Sequence, residues 1–109
     1  VATGFRYSVE RRVAQAAVVA GLIGQIADIR RIGAAVVDFC WTARGRLDAY
    51  FEEGLSPWDS CAGFLIAEEA GAGVTGVGQD GTSADFVVAG PGIHAALREA
   101  LVAASEAAG

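Results

Sequence analysis

The sequence predicts an α/β fold, a layered sandwich in which helices and strands alternate around a mixed sheet. Helix-like spacing of apolar residues alternates with short strand-like segments along the whole chain, which is typical of layered α/β domains. The composition is 53% apolar, enough to form a hydrophobic core. No linker, repeat or low-complexity stretch divides the 109 residues. We therefore expect residues 1–109 to form a single domain.

The opening residues of the chain read as a strand, and the first helix is predicted over Val9–Ile26. Ser8 is placed to cap this helix. Gly21 and Gly24 lie inside it and suggest either close packing against a neighbour or an early end of the helix. Apolar residues recur every three or four positions and predict its buried face: Val9, Val13, Ala16, Ala20 and Ile23.

The segment Ala34–Ala43 is apolar on nearly all sides, with Asp38 and Thr42 as the exceptions. This pattern predicts a buried helix. The residues that follow alternate with a period of two, which predicts a strand with one face on the core: Leu47, Ala49 and Phe51 alternate with Asp48, Tyr50 and Glu52.

The third helix has the sharpest local signal in the sequence. Ser56 is followed by Pro57 at the first helical position and by a carboxylate two residues later, at Asp59. This arrangement is typical of a helix start and predicts a helix over Pro57–Ala70, with Gly71 as its stop.

The last third of the chain predicts two strands and a final helix. The strands are Val74–Val77 and Phe86–Ala89, on either side of a turn at Asp80, Gly81 and Thr82. The final helix starts near Gly90 and Pro91. Its predicted apolar stripe consists of Ile93, Leu97, Leu101 and Ala104.

Charge and cysteine content exclude several classes of partner. The net charge is −5 and the eight basic residues are dispersed, so no basic stripe is available for nucleic acid or for an anionic membrane surface. The longest apolar run, residues 14–23, is too short to span a bilayer. Cys40 and Cys61 have no metal-ligand spacing and fit a reducing compartment, so we expect a cytoplasmic protein.

Two carboxylates near the third helix are candidate site residues. Asp59 lies in the first helical turn, where it can act as a cap or as a hard oxygen ligand for Mg²⁺, and its spacing alone favours the cap. Glu52 ends the preceding strand, and ligands of open α/β sheets bind beyond the carboxyl ends of strands. Glu53 beside it also belongs to this acidic segment, which can equally be a solvated turn.

Other candidates are weaker. Gly33, Ala34 and Ala35 open a helix with three small residues, where backbone amides can approach an anion or a hydroxyl. His94 is expected to be a surface histidine because no Asp, Cys or Ser arrangement surrounds it in the sequence. We assign no role to the carboxylates near the end of the third helix, Glu68 and Glu69.

Residues 57–71, PWDSCAGFLIAEEAG, resemble the second signature of the inositol monophosphatase family almost letter for letter. The segments GAAVVD at 33–38, GRLDAYFE at 45–52 and ATGF at 2–5 follow the family's order and spacing. The departures are small: Cys61 stands where Ala is usual, Ala72 where a second Gly is common, and Ala34 where Ser or Thr often lies.

The resemblance implies a sugar-phosphatase-like fold and a Mg²⁺-dependent phosphatase acting on phosphorylated inositol or related polyols and sugars. It implies that Asp59 is a metal ligand and that Glu52 binds a substrate hydroxyl. The backbone at Gly33, Ala34 and Ala35 would line the same pocket. Relatives with the same signature include fructose bisphosphatases, histidinol-phosphate phosphatases and nucleotide 3′-phosphatases, so the substrate stays open within this group.

The family's other acidic signature, DPxDGTxNF, supplies most metal ligands and is not found in these 109 residues. Asp80-Gly81-Thr82 matches three of its letters but follows the third helix instead of preceding it. We therefore expect the C-terminal half of a phosphatase, without catalytic residues of its own, inactive alone and paired with a missing N-terminal half. The complete enzyme is expected to be a homodimer. The alternative is a freestanding, non-catalytic α/β domain that binds a ligand or partner.

Overall fold

The structure is a computed structural model that describes residues 1–5, 8–53, 55, 57–76 and 86–108; the side chains of residues 57–59, 76 and 108 are outside that description. In chain order the elements are β1 Ala2–Thr3, α1 Val9–Leu22, a 3₁₀ turn Ile23–Gln25, α2 Ala35–Ala43, β2 Ala49–Glu52, α3 Pro57–Glu69, β3 Gly73–Gly76, β4 Phe86–Ala89 and α4 His94–Ala108.

The strands form one mixed sheet in the order β1-β2-β4-β3. β1 and β2 are parallel, with Ala2 opposite Tyr50, whereas β2 and β3 are both antiparallel to β4. Arg30 forms a parallel bridge with Ala2 beyond the β1 edge. The predicted mixed sheet is therefore confirmed.

Helices cover both faces of the sheet, and each face has its own hydrophobic cluster. One face packs against α2 and α3, and the other packs against α1 and α4. The first cluster includes Phe39, Tyr50 and Phe86, and the second includes Leu22 and Leu101. This three-layer arrangement confirms the predicted α/β sandwich.

Both faces of β2 are buried, which corrects the prediction of a strand with one face on the core. Ala49 and Tyr50 are both fully buried although their side chains point to opposite faces. Ala49 belongs to the cluster beneath α1 and α4, whereas Tyr50 belongs to the cluster beneath α2 and α3. The face of β2 that was expected to be exposed is therefore covered by a second layer of helices, and Tyr50 on that face is buried.

The buried face of α1 also differs from the predicted one. Val9 and Val13 are 64% and 66% exposed. The residues that face the sheet and α4 are Gln15 and Leu22, together with the partly buried Val18. The helix carries two sets of apolar residues with helical spacing, and the set that includes Leu22 packs inward.

The two predictions for the glycines of the first helix both apply, one to each glycine. A Cβ at Gly21 would lie 3.2 Å from the Cβ of Ala104, so Gly21 marks close packing between α1 and α4. Gly24 lies in the 3₁₀ turn Ile23–Gln25, after the α-helix has ended at Leu22. The α-helix therefore ends four residues before the predicted Ile26.

Helix α2 was expected to be buried on all sides, and this prediction is wrong. Asp38 and Thr42, its polar residues, are buried, while Val36 is 64% exposed and Trp41 is 38% exposed. The Thr42 hydroxyl donates to the Asp38 carbonyl oxygen at 2.7 Å. Asp38, Phe39 and Thr42 are the buried residues of the helix and form the side that packs on the sheet. Nothing described covers the side that carries Val36.

The end of α3 matches the prediction closely. Gly71 has φ +91, the left-handed conformation that glycine adopts easily. Its amide donates to the Glu68 carbonyl, and the Ala72 amide donates to the Ala67 carbonyl at 2.9 Å. These two bonds form a Schellman motif, which ends the helix and places Ala72 against the core.

Most of the remaining predicted boundaries fall within one or two residues of the observed ones, but α4 begins at His94, three residues after Pro91. β4 spans Phe86–Ala89 as predicted. On α4, Leu97, Leu101 and Ala104 are buried as predicted, whereas Ile93 precedes the helix and is 42% exposed. The expected turn at 80–82 and the expected cap at Ser56 lie outside the described residues. None of the described helices is both long and apolar enough to cross a bilayer.

Candidate functional site

The candidate residues lie at the edge of the sheet where its parallel strands end. β1, the bridge residue Arg30 and β2 run in the same direction, so their carboxyl ends meet at one edge. Glu52 is the last residue of β2. The segment Gly33–Ala35 follows Arg30 and opens α2, and α3 begins shortly after β2. The topology therefore brings the predicted segments to one region, as expected for open α/β sheets.

The side chain of Glu52 is held by Tyr50. The Tyr50 hydroxyl donates a 2.7 Å hydrogen bond to Glu52 Oε1. Both side chains leave the strand on the same face because they are two residues apart. Burial first, and then the hydrogen bond and the charge of Glu52, raise the pKa of Tyr50 far above its usual value of 10. Tyr50 is therefore a protonated donor over the whole physiological pH range.

Glu53 points away from Glu52. Glu53 is the first residue after β2 and forms an ion pair with Arg11 on α1, with Arg11 Nε donating to Glu53 Oε1 at 2.6 Å. The two adjacent glutamates therefore do not form one acidic cluster. Glu53 connects the end of β2 to the helix layer on the opposite face.

A further carboxylate, Asp38, lies near Glu52, and in the sequence it is visible only as a polar interruption of an apolar helix. Asp38 is 1% exposed, and its Oδ1 atom has no hydrogen-bond partner among the described residues. Burial, and secondarily the negative charge of Glu52, raise its pKa from 3.8 to about 6, while Arg31 opposes this rise. A charged residue in an otherwise apolar helix was the available signal, and its burial depended on packing.

The segment that opens α2 offers backbone groups more than side chains. Gly33 has φ +88 and leads into Ala34, which occupies the N-cap position without a side-chain hydrogen bond. The amides of Val37 and Asp38 donate to the Ala34 carbonyl at 3.1 Å. The first amides of any helix lack intrahelical acceptors, and here they lie beside exposed Gly33 and Ala34. The Ala35 methyl packs on the core, so a contact from this residue to a ligand would be through its backbone.

A small cavity lies at this end of the sheet on the side of α1 and α4, with a volume of about 60 Å³. Its polar lining includes Thr3, Glu52 and Glu53, and its apolar lining includes Phe5 and Phe51. A cavity of this size holds a few water molecules. It is not a complete pocket for a phosphorylated sugar.

Asp59 lies in the first turn of α3, and its side chain is outside the described part of the chain. Within the described residues, no group of three or more His, Cys, Asp or Glu side chains could hold a metal ion. Mg²⁺ requires a nearly octahedral set of oxygen ligands. The donors described here are therefore not a metal site by themselves, and an ion at this edge would need additional ligands.

The residues to which we assigned no role lie away from this edge or on the surface. Glu68 and Glu69 are exposed. His94 is partly buried, with its Nε2 3.1 Å from the Thr75 hydroxyl. A Cβ at Gly73 would overlap the His94 ring, so this histidine packs on β3.

The comparisons with known proteins agree with one another. The sequence model of the inositol monophosphatase family matches residues 1–108. An inositol-1-monophosphatase of Mycobacterium leprae is 50% identical over 102 residues, which cover 91% of this chain and 35% of that protein. A Vibrio cholerae protein named Nus factor SuhB is 52% identical over 58 residues, or 53% of this chain and 22% of that protein.

The fold comparison gives the same relationship. The structure of Mycobacterium tuberculosis SuhB superposes with a TM-score of 0.83 at 47% sequence identity, covering 94% of this chain and 40% of that one. The chain thus spans about a third of the length of the M. leprae relative. With the family match over residues 1–108 and these identities, the chain belongs to the inositol monophosphatase family.

Proposed function

We propose that this chain is the C-terminal portion of a Mg²⁺-dependent phosphatase that hydrolyses phosphate monoesters of inositol or of related polyols and sugars. The observation that carries the proposal is Glu52, a carboxylate oriented by Tyr50 at the carboxyl end of β2, in a chain 50% identical to a protein named inositol-1-monophosphatase. The missing N-terminal half would supply the catalytic groups, and the complete enzyme would be a homodimer.

Glu52 is proposed to accept a hydrogen bond from a hydroxyl group of the substrate. A carboxylate accepts such bonds more strongly than a neutral amide does. The amides that open α2 at Gly33, Ala34 and Ala35 would line the same polyol pocket, since helix N-termini favour hydroxyl and anionic groups. This portion would therefore bind and orient the alcohol part of the substrate.

Asp59 is proposed to supply one oxygen ligand to Mg²⁺. When bound, the metal would polarise the phosphate and activate water. The other ligands would come from the missing portion, because the described residues of this chain do not form a metal site. The free thiols Cys40 and Cys61 support a cytoplasmic location, and the net charge of −5 argues against nucleic acid as a partner.

The activity test uses a joined protein, in which the portion of the M. tuberculosis relative that this chain does not cover is fused before Val1. We expect the joined protein to release phosphate from inositol 1-phosphate in the presence of Mg²⁺, and the 109-residue chain alone to release none. Turnover by the chain alone at about 1 s⁻¹, an ordinary enzymatic rate, would contradict the proposal. An inactive joined protein that is folded would favour the alternative of a non-catalytic binding domain.

Glu52→Gln in the joined protein tests the role of this carboxylate. The glutamine keeps the size of the side chain and an acceptor for Tyr50, but loses the negative charge. We expect KM for inositol 1-phosphate to rise about tenfold, the difference between a charged and a neutral hydrogen bond. The dependence on Mg²⁺ should stay nearly unchanged. An unchanged KM would exclude Glu52 as a substrate ligand.

A further inference from the structure

Gly4 lies directly beside the carboxylate of Glu52. Thr3 is opposite Phe51 in the parallel ladder of β1 and β2, so the next residue, Gly4, is adjacent to Glu52. Side chains at adjacent positions of neighbouring strands share one face of the sheet. A Cβ at Gly4 would overlap Glu52 Oε1 and lie 2.8 Å from its Cδ, closer than real Cβ atoms approach other atoms. Glycine thus leaves the space that the Glu52 side chain fills.

Tyr50 holds the same oxygen from the core side. Its hydroxyl donates to Glu52 Oε1, and its ring is fully buried. The rings of Phe39 and Phe86 contact it edge-on, with centroid distances of 5.1 and 5.4 Å. The donor therefore belongs to a packed aromatic cluster and has little freedom to follow a displaced carboxylate.

We propose that Gly4 and Tyr50 are positioning residues that together fix the Glu52 carboxylate: Gly4 by leaving room for Oε1, and Tyr50 by donating a hydrogen bond to it. The proposal rests on the proposed function of Glu52 as a ligand of a polyol hydroxyl. Both residues would then raise the affinity for the substrate through Glu52, without touching the substrate themselves. Any side chain at position 4 would move the carboxylate off Tyr50 and misplace it for the substrate.

The first test introduces Gly4→Ala into the joined protein in two backgrounds, one with Glu52 and one with Glu52→Ala. Gly4→Ala should raise KM for inositol 1-phosphate about tenfold, the effect of misplacing one charged hydrogen bond, and leave kcat within about twofold. In a Glu52→Ala background the same substitution should have no further effect, because the side chain that it displaces is gone. An equal rise of KM in both backgrounds would overturn the proposal.

Gly24→Ala is the matched control. Apart from its chain neighbours, no atom of the described residues lies within 4 Å of a Cβ at Gly24, and the residue is outside the candidate site. It should leave KM and kcat unchanged. A rise of KM in Gly24→Ala equal to that in Gly4→Ala would show a general effect of the added methyl group and overturn the assignment.

A second readout does not depend on activity. The carboxyl carbon of Glu52, observed by NMR in the joined protein and assigned with Glu52→Gln, should shift in both Gly4→Ala and Tyr50→Phe. Tyr50→Phe keeps the ring and guards against a failure of Gly4→Ala to fold. A resonance that stays in place in Tyr50→Phe would overturn the positioning role. If the resonance shifts while Glu52→Ala leaves KM unchanged, the positioning stands and the proposed polyol role of Glu52 fails.

Discussion

Gly63 on α3 lies so close to the ring of Phe39 on α2 that a methyl group at position 63 would overlap the ring. Phe39 is fully buried, stacks on Phe86 at a centroid distance of 5.4 Å and contacts Tyr50 edge-on. The close packing of α2 against α3 therefore requires a residue without a side chain at position 63. Through this contact α3 packs on the aromatic cluster that surrounds Tyr50.

We predict that Gly63→Ala destabilises the joined protein by about 1–3 kcal/mol, the usual effect of adding a methyl group to a packed core. At an open helical position the same substitution is stabilising, by up to about 1 kcal/mol. Urea denaturation measures the free energy of unfolding. Phe39→Leu added to Gly63→Ala should recover part of the loss. A neutral or stabilising Gly63→Ala would contradict the close packing.

The raised pKa of Asp38 predicts a specific dependence of stability on pH. The folded carboxyl, with a pKa of about 6, binds a proton more tightly than the unfolded one, at 3.8. The free energy of unfolding should therefore fall as pH rises from about 4 to about 6. Above pH 6 the titration of Asp38 should cause no further decrease. The difference is on the order of 3 kcal/mol.

Asp38→Asn isolates this contribution, because the amide does not titrate. We expect the decrease between pH 4 and 6 to become smaller in the variant, measured by urea denaturation at a series of pH values. The difference between the two profiles reports the titration of Asp38 together with its electrostatic coupling to Glu52. Identical slopes for the two proteins would show that the Asp38 pKa is not raised in the folded state.

The sequence predicts the elements whose signals are local. Pro57 and Gly71 delimit α3 because a proline at the first helical position and a glycine after the last turn have specific backbone requirements. The strand Phe86–Ala89 follows from its continuous apolar character. These features depend on neighbouring residues in the chain, so they can be deduced without the tertiary structure.

Features that depend on packing could not be deduced in the same way. Val13 and Leu22 each belong to a set of apolar residues with helical spacing on α1. The positions of α4 and the sheet decide that Leu22 is buried and Val13 is exposed. Asp38 was expected in an apolar helix, but its burial and its raised pKa follow from the sheet beneath α2. Glu52 was a candidate because it ends the predicted strand, and the resemblance implied its substrate role, whereas its contact with Tyr50 required the structure. The metal role of Asp59 stays a prediction.

The exposed apolar residues of α2 and α3 predict that the chain alone associates. Val36 is 64% exposed and Leu65 is 59% exposed. Apolar residues on adjacent helices favour contact with another surface. In sedimentation velocity experiments we expect the 109-residue chain to dimerise or aggregate alone, or to bind the proposed N-terminal portion when it is added. A monodisperse monomer that unfolds cooperatively would contradict this expectation.

Single charged variants locate the associating surface. Val36→Glu should reduce the association without loss of helix content. Val13→Glu is the matched control, since Val13 is 66% exposed on α1, on the opposite face of the sheet. An equal effect of both variants would show that association is not specific to the α2 and α3 side.

The most direct test of the proposed phosphatase is a Mg²⁺ titration of the joined protein and its Asp59→Asn variant. Asparagine can replace aspartate as a helix cap, because its amide oxygen still accepts a hydrogen bond, but it is a poor ligand for a hard cation. If Asp59 is a ligand, the variant should keep its melting temperature and need far more Mg²⁺, or lose turnover by orders of magnitude. Activity within a few-fold of the parent at ordinary Mg²⁺ would contradict the metal role and leave Asp59 as a cap.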